Sequence, residues 1–334
     1  DFAVVRYNRD GSLDATFGTG GKILTPVGTS SDIGRSVFVQ ADGKIVVAGN
    51  SNAATGISDF AVVRYNSNGS FDTSFNGTGK VRTAFTGNPD TAYSVTVQAD
   101  GKIVVAGSTG NRDFAVLRYN TDGTLDTGFG ADKTGQITVS DPYFDIGQSV
   151  LIQADGKIVV AGQSYTTLGN YVVRYNTDGT LDAGFGAGGK LPSFVGGLPY
   201  SAALQQDGKI VVAGSSNTSG SDFTVTRYDV NGSLDTTFGT GGKVVTPVGP
   251  GTSSDIGYSV TVQADGKIVV AGSSSNVGNG TNIDFAVVRY NSMAASTPHS
   301  TRRVRSAARS RSPRTARRCG STPTSRSPTS TSTG

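Results

Sequence analysis

Short apolar runs separated by turn residues recur along the whole chain. Ile45–Ala48 and Phe2–Val5 are apolar at every position, which is typical of strands covered on both faces of a sheet. Asp42-Gly43 lies just before the first of these runs and predicts a hairpin, because both residues tolerate the positive φ of a tight turn. No stretch has a sustained helical period, so the pattern predicts an all-β protein.

The strand-forming segments repeat in a fixed order. Asp-Phe-Ala-Val-Val-Arg-Tyr-Asn at the start of the chain returns five times, in one copy altered, and its Arg recurs at intervals of 58, 54, 56, 53 and 62 residues. Each unit adds Asp-Gly-Ser-Leu-Asp-x-x-Phe, a Gly-Lys-Val-x-Thr strand and Ser-Val-x-Val-Gln-Ala-Asp-Gly-Lys-Ile-Val-Val-Ala-Gly. Four short strands per unit, repeated in tandem, predict the blades of a β-propeller.

We label the four strands of a unit A to D, from the innermost to the outermost. The type examples are Ser36–Gln40 (A), Lys44–Gly49 (B), Phe2–Tyr7 (C) and Lys22–Val27 (D). Residues 1–292 then hold five A–B hairpins, six C strands and five D strands. We therefore expect four-stranded antiparallel blades, five full blade equivalents plus an extra strand. Both a closed five-bladed ring with a spare C strand and a piece of a larger ring fit this count.

Residues 293–334 abandon the repeat and are rich in Arg, Ser, Thr and Pro, so we predict a disordered tail. Clustered Arg suits a nucleic-acid-binding arm, but the genetic code favours another origin. Met293–Thr301 can be written in codons that, with a G closing the Ser292 codon and read one base earlier, encode Asp-Gly-Ser-Leu-Asp-Thr-Thr-Phe-Asp, which continues the repeat. We interpret the tail as out-of-frame translation and expect no nucleic-acid partner.

The composition of residues 1–292 differs from that of the whole chain. The tail holds nine Arg and no acid, so residues 1–292 carry 20 basic and 25 acidic residues, a net charge of −5. His299 and Cys319 are the only His and Cys of the chain. Residues 1–292 therefore cannot build a His–metal site, a thiolate nucleophile, a Ser–His–Asp triad or a disulfide. The chain has no run of eighteen apolar residues, so the sequence predicts no membrane-spanning helix.

The repeat unit resembles the bacterial delta-60 repeat. The residues that carry the resemblance are Asp-Phe-Ala-Val-Val-Arg-Tyr-Asn-x-Asp-Gly-Ser-Leu-Asp-Thr-x-Phe-Gly-x-Gly-Gly-Lys and Gln-Ala-Asp-Gly-Lys-Ile-Val-Val-Ala-Gly, over essentially all of residues 1–292. The copies at 169–175 and 198–206 depart from it. The resemblance implies a β-propeller-type repeat of large exported or surface proteins and supplies no catalytic residues. The chain begins in mid-pattern, which we interpret as a fragment whose targeting signal is not visible.

The C–D turns are a candidate calcium site. Each unit places Asn or Asp side-chain oxygens around a Gly turn, and Ca²⁺ prefers several oxygen ligands. The alternative is structural: an Asp-Gly turn followed by an Asp that caps the next turn, whose Phe packs between blades. We favour turn and cap, and expect no cofactor. The candidate ligands are Asp10, Asp14, Asp122, Asp126, Asp178 and Asp182.

The repeated Arg of the C strand lies within a strongly apolar run, as Arg118 shows. We predict one Arg–Asp pair per blade, hydrogen-bonded between layers, because a paired charge satisfies both partners where water is scarce. The alternative is a ring of Arg side chains that binds anions.

Loops at one end of the blades differ between units, and function grafted on a scaffold usually lies in such loops. The B–C and D–A connections lie at that end. They are rich in Ser, Asn, Gly and Thr, which suits polar contacts with glycans or proteins. The candidate ligand residues are Asn50, Asn52, Tyr143, Asp145, Asn276 and Asn279.

Three functions stay open. We favour a non-enzymatic, monomeric, exported or cell-surface scaffold that binds a protein or carbohydrate ligand through the variable loops. The second is a propeller hydrolase or lyase with acids at the channel mouth, and the third is a purely structural repeat. The repeated acids at the variable end are Asp32, Asp90, Asp145 and Asp255.

Overall fold

Every regular element that the computed structural model describes is a β-strand. The described residues are 1–54, 56–85, 89–110, 113–139, 145–164, 171–191, 197–216, 220–249, 253–275, 283–293 and the backbone of 301–304. None of the described residues forms a helix that could span a membrane.

The strands form six sheets in chain order. The half-blade is β1 (Phe2–Val5) and β2 (Lys22–Thr25). Blade 1 is β3 (Asp32–Val39), β4 (Ile45–Asn52), β5 (Ser58–Tyr65) and β6 (Lys80–Thr83). Blade 2 is β7 (Thr91–Val97), β8 (Ile103–Ser108), β9 (Phe114–Tyr119) and β10 (Gln136–Val139). Blade 3 is β11 (Asp145–Ile152), β12 (Ile158–Ser164) and β13 (Tyr171–Tyr175). Blade 4 is β14 (Leu198–Leu204), β15 (Ile210–Ser215), β16 (Phe223–Tyr228) and β17 (Lys243–Thr246). Blade 5 is β18 (Asp255–Val262), β19 (Ile268–Ser275), β20 (Ile283–Tyr290) and β21 (Thr301–Val304).

Each blade is the predicted antiparallel sheet, with strands in the order A-B-C-D. The A–B hairpin closes at Asp-Gly: in blade 2, Gly101 has φ +83° and its amide donates to the Gln98 carbonyl at 2.9 Å. The B and C strands are buried along their length, as in β8 and β9. Apolar runs without alternation therefore mark strands enclosed by neighbouring blades, as the sequence predicted.

Adjacent blades stack side by side, with the A strand of each blade packed against the A and B strands of the blade before it. A Ser in one A strand accepts a hydrogen bond from the next A strand: the amide of Val95 donates to Ser36 Oγ at 3.1 Å, and that of Val150 donates to Ser94 Oγ at 3.1 Å. Because A is the edge strand of its sheet, this bond satisfies an edge amide and fixes the spacing of the blades. The inner edge of the stack is therefore a ladder of A strands.

The core lies between blades. One cluster joins blades 1 and 2 through Phe60, Val105 and Leu117, and similar clusters fill the other gaps. The Phe that follows each C–D turn, such as Phe129, is fully buried. The predicted interblade Phe is confirmed.

The sheets form an open arc. Within the described residues, no extended packing joins blade 5 to the half-blade, so the closed five-bladed ring, one of two predicted arrangements, is not formed. The two ends of the arc consequently expose apolar side chains, among them Leu24 at one end and Phe285 at the other.

Two outer strands differ from the prediction. In blade 3, the D position is reduced to a single bridge between Val173 and Lys190, and residues 192–196 lie outside the described residues. In blade 5, Thr301–Val304 pairs with β20 as the fourth strand, inside the segment expected to be disordered. The rest of 294–334 lies outside the described residues, and the frame-slip origin stays a prediction.

Candidate functional site: a row of bulge residues on the inner edge

Every A strand contains a β-bulge at the same place. The pairing of A with B shifts register between Gly34 and Ser36 in blade 1, and at the equivalent positions in the other blades. A bulge leaves one residue out of the ladder and re-aims its side chain. The five residues at this position, which we call the bulge row, are Arg35, Tyr93, Gln148, Tyr200 and Tyr258.

The bulge row is at least partly accessible, and some of the residues beside it are buried while others, such as Gly34 and Ser259, are exposed. Ala92 is fully buried and Ser149 nearly so, whereas Arg35 is exposed and Tyr258 is 50% exposed. Tyr93 is partly exposed. The A strands form the inner edge of the arc, so the bulges present these side chains along that edge.

Neighbouring members of the bulge row touch each other. The Arg35 guanidinium lies 5.2 Å from the centre of the Tyr93 ring, a cation–π distance. Its Nε donates to Asn50 Oδ1 at 3.2 Å, which holds the side chain in place. The rings of Tyr200 and Tyr258 meet edge to face, with centroids 5.2 Å apart and an interplanar angle of 77°. Four of the five members thus form two pairs, one cation–π and one aromatic, and Gln148 lies between the two pairs in the order of the row.

The candidate ligand residues of the loops lie in different environments. Asn50 is buried and serves Arg35 as its acceptor. The main chain of Asn52 joins the B–C loop to the D–A loop: its amide donates to Ser31 O at 3.0 Å, and its carbonyl accepts from Thr29 at 3.3 Å. Of the remaining candidates, Asp145 is buried, and Tyr143, Asn276 and Asn279 lie outside the described residues.

The four candidate catalytic acids are buried. Three of them accept hydrogen bonds mainly from main-chain amides of the loops. They are Asp32, Asp90, Asp145 and Asp255. Phe85 donates its amide to Asp90 Oδ2 at 2.9 Å, and Gly110 donates to Oδ1 at 3.0 Å. Asp32 and Asp255 accept two loop amides each in the same way. These carboxylates therefore clamp the D–A loops onto the start of the A strands.

Two carboxyl groups at this end have raised pKa values. Burial raises the pKa of Asp90, and the charge of Asp59 adds to that rise, although the two amide bonds oppose it. Burial also raises the pKa of Asp222, with a further contribution from the charge of Asp255. Both follow from packing one blade's A strand against the previous blade's C strand, where acids of the two strands approach each other.

The candidate calcium ligands form the turn-and-cap arrangement. Asp10 Oδ1 accepts from the amide and hydroxyl of Ser12 at 2.9 and 2.6 Å, and Asp14 Oδ1 accepts from the amide of Thr16 at 3.0 Å. Asp122 and Asp178 repeat the first pattern. Within the described part of the chain, no three acidic, His or Cys side chains gather as a metal site. Calcium binding stays a prediction.

The predicted Arg–Asp pair is present in five units. Asp126 Oδ2 accepts from Arg118 Nε at 2.7 Å and from Lys102 Nζ at 2.8 Å, and Asp182 is bound in the same way. Burial opposes ionisation of Asp126, but the Lys102 bond and the Arg118 charge outweigh it and lower the pKa. These five Arg side chains are paired with acids, which supports the ion-pair interpretation over the anion-binding ring.

Sequence reasoning overlooked the bulge row. Its signal is visible in the alignment of the repeats: one variable residue stands between a small residue and an otherwise constant Ser, as Arg35 does between Gly34 and Ser36. Variation at one point of an otherwise repeated strand, with Arg, Tyr and Gln among the choices, is the signal that could have found the row.

Solved structures share the fold. A protein of unknown function from Dyadobacter fermentans is 13% identical, with a TM-score of 0.51, over 75% of this chain and 74% of that one. An α-L-arabinofuranosidase from Clostridium thermocellum is 10% identical, with a TM-score of 0.43, over 81% of this chain and 93% of that one. A gluconolactonase from Xanthomonas campestris is 15% identical, with a TM-score of 0.41, over 72% and 82%. The comparison with curated proteins found no match.

A family model described as a β-propeller domain of unknown function, DUF5122, matches the repeats. It matches residues 1–17, 40–75, 98–129, 153–185, 205–238 and 263–293. The matched segments cover the A–B hairpin turn, the B and C strands and the C–D turn of the complete units, which are the parts that build the interblade core. The chain therefore belongs to the DUF5122 β-propeller family.

Proposed function

We propose that this protein is a non-enzymatic scaffold that binds a neutral carbohydrate chain along the bulge row. The observation that carries the proposal is the Tyr200–Tyr258 pair, in which two aromatic rings meet edge to face on the inner edge and Tyr258 is 50% exposed. Tyr offers a flat apolar face and a hydroxyl on a side chain with few rotatable bonds, so it gives contact area at low entropic cost.

The chemistry of the row suits sugar rings. The C–H faces of a pyranose pack on aromatic rings, while ring hydroxyls need nearby donors and acceptors. Arg35 supplies donors, and the Gln148 amide has both donor and acceptor atoms. Arg35 is the one cation of the row, and residues 1–292 carry a net charge of −5. This balance favours a neutral glycan over a polyanion.

The burial of the candidate acids supports a binding function and argues against a catalytic one. A general acid must reach the scissile bond, whereas Asp90 lies fully buried with both carboxylate oxygens bonded to loop amides. The same carboxylates explain why the loops near the bulge row are well anchored. The acids therefore support the ligand surface and do not act on a substrate.

We also propose an exported or cell-surface location and a monomeric state. The support is the resemblance to the delta-60 repeat and loops rich in Ser, Asn and Thr. Periplasmic or surface display of an epitope-tagged full-length gene, scored by protease accessibility in intact cells, tests the location.

A glycan array, followed by titration calorimetry with the best neutral oligosaccharide, tests the binding function. We expect the double variant Tyr200→Ala, Tyr258→Ala to bind at least tenfold more weakly. Tyr7→Ala is the matched control, because Tyr7 is 63% exposed but lies outside the row. Absence of glycan binding, or equal losses in both variants, would contradict the proposal and favour a purely structural repeat.

A further inference from the structure

Asn76 has a main-chain conformation that other units give to glycine. It follows the buried Phe75 of its C–D connection, is exposed, and has φ +50°. L side chains are strained in this left-handed region, and Asn is one of the few residues that enter it. At the equivalent position, the other units have a glycine with positive φ: Gly18, Gly130, Gly186 and Gly239. Blade 1 therefore puts an Asn at a strained turn, and Gly77 follows it directly.

The Asn76 side chain takes the place of a main-chain hydrogen bond. In the half-blade, the amide of Thr19, one residue after the glycine, donates to the Lys22 carbonyl at 2.9 Å. The same bond forms in blades 3 and 4, from the amides of Ala187 and Thr240. In blade 1 the equivalent carbonyl, that of Lys80, accepts from Asn76 Nδ2 at 2.8 Å. Within the described part of the chain, the Gly77 amide consequently has no acceptor.

Two other Asn-Gly steps of the described residues have a different geometry. At Asn68-Gly69 the glycine amide donates to the Asn66 carbonyl at 2.9 Å. The Asn68 side-chain oxygen accepts from the amide and the hydroxyl of Ser70, at 3.0 and 2.8 Å. The step Asn231-Gly232 in blade 4 repeats these bonds. In both steps, the glycine nitrogen and the Asn side chain are therefore held in hydrogen bonds.

Asn followed by Gly is chemically labile, because glycine has no side chain to obstruct attack by its own nitrogen. The glycine nitrogen loses its proton to a base and forms a bond with the Asn side-chain carbon Cγ. Ammonia leaves, and a five-membered succinimide ring remains. Water then opens one of the two imide C–N bonds. Opening at the side-chain carbonyl gives isoaspartate or Asp according to the bond broken, and the net reaction consumes one water and releases one ammonia.

We propose that Asn76 is a site of spontaneous deamidation in the folded protein, where water converts it to Asp and isoaspartate, and that Asn68 and Asn231 are protected. Asn76 is exposed, so water and base reach it. Its φ of +50° is strained, and the reaction relieves that strain. The Gly77 amide is the nucleophile, and within the described residues no hydrogen bond must break before it attacks.

Both products weaken the junction between blades 1 and 2. In the Asp product, a carboxylate oxygen replaces the Nδ2 donor that lies 2.8 Å from the Lys80 carbonyl oxygen, so attraction becomes repulsion. Isoaspartate lengthens the main chain by one carbon directly after residue 76. That point lies between the Asn76 amide, which donates to the Asp122 carbonyl of blade 2 at 2.6 Å, and the Gly79 amide, which donates to the Phe75 carbonyl at 2.7 Å. The modification therefore loosens the start of β6.

Peptide mass spectrometry of the full chain, aged in mildly alkaline buffer, tests the site. Asn68 and Asn76 share the tryptic peptide 65–80, and fragment spectra distinguish them. We expect Asn76 to deamidate about tenfold faster than Asn68 or Asn231, the factor that one hydrogen bond contributes to an equilibrium. In the chain unfolded by guanidinium the three rates should converge. Asn76→Gly, which restores the residue of the other units, should remove the fast reaction, and enzymatic methylation of isoaspartate should fall with it.

Asn76→Asp mimics one product and should lower the unfolding midpoint and speed hydrogen exchange at the Gly79 amide. Asn68→Asp is the matched control, because it adds the same charge to the same blade at a position where the half-blade has Asp10. Equal midpoints for the two variants would contradict the structural consequence. Deamidation of Asn68 or Asn231 as fast as that of Asn76 in the folded protein would overturn the proposal. An Asn76 that stays intact there while the unfolded chain reacts would overturn it as well.

Discussion

The guanidinium of Arg118 donates a hydrogen bond to the main-chain carbonyl of Thr177 in the next blade. The same group is bonded to Asp126 and lies 4.3 Å from the centre of the Phe129 ring. One side chain thus ties a C–D turn to the adjacent blade and covers the buried Phe between them. Blades 1 and 4 repeat the arrangement through Arg64 and Arg227.

Replacing Arg118 by Met should destabilise the protein by about 3 kcal/mol, because it leaves a buried acid with only one cation. Guanidinium unfolding followed by circular dichroism measures the loss. Arg6→Met is the matched control: its side chain is 33% exposed against 7% for Arg118, so we expect at most about 1 kcal/mol. Equal losses of stability in the two variants would show that burial does not determine how much the ion pair contributes to stability.

Gly179→Ala should lower the free energy of unfolding of the protein more than Gly11→Ala. Both glycines occupy the same turn position with φ +86°, where any L side chain is strained. A Cβ at Gly179 would lie 2.7 Å from the Phe129 ring of the neighbouring blade, whereas at Gly11 nothing lies within 4 Å. We expect the two variants to differ by about 1–3 kcal/mol, the usual cost of overpacking.

Thermal and chemical unfolding of the two glycine variants measure this difference directly. Because the backbone strain is shared, the comparison isolates the packing between blades. Similar midpoints for Gly179→Ala and Gly11→Ala would mean that the turn itself, and not the neighbouring Phe, selects glycine.

Ser94→Ala should cost about 1 kcal/mol, since the Val150 amide in the next A strand loses its acceptor. Hydrogen exchange at that amide should become faster. Ser259 occupies the same position in blade 5, where the described residues place no further A strand, and it is exposed. Ser259→Ala should therefore change stability by less than about 0.5 kcal/mol. A loss at Ser259 as large as at Ser94 would refute the interblade role.

The repeat made much of the fold predictable. An Arg repeated within an apolar strand predicted one Arg–Asp pair per blade, and unbroken apolar runs predicted strands with two covered faces. Both features are local or recur in every unit, so one sequence contains several copies of the same evidence. The family of the chain rests on these same segments.

The site was less predictable because it depends on relations between strands. Tyr200 and Tyr258 meet only because a bulge shifts the register of each A strand, and no local propensity marks a bulge of this kind. Asp90 was a plausible channel-mouth acid by its position, but its role depends on amides brought to it by Phe85 and Gly110. Closure of a ring likewise depends on packing between the first and the last sheet, which a repeat count leaves undecided.

The free energy of unfolding at low pH should depend on the ionisation of Asp72. Burial opposes its ionisation, but the Ser74 hydrogen bond and the charges of Arg64 and Lys44 prevail and lower its pKa from 3.8 to about 2. The fold therefore favours the ionised form. That contribution is complete above about pH 4, the range of an unperturbed Asp, and is lost as the pH falls through about 2.

Unfolding free energies measured by urea titration between pH 5 and pH 2 test this dependence. The unsubstituted protein should lose stability steadily below about pH 4. Asp72→Asn should be less stable at pH 5 yet show a shallower slope below pH 4, since the neutral amide has no proton to gain. Asp42→Asn, in the exposed hairpin turn of the same blade, should keep the original slope. An unchanged slope in Asp72→Asn would mean that other carboxylates govern acid unfolding.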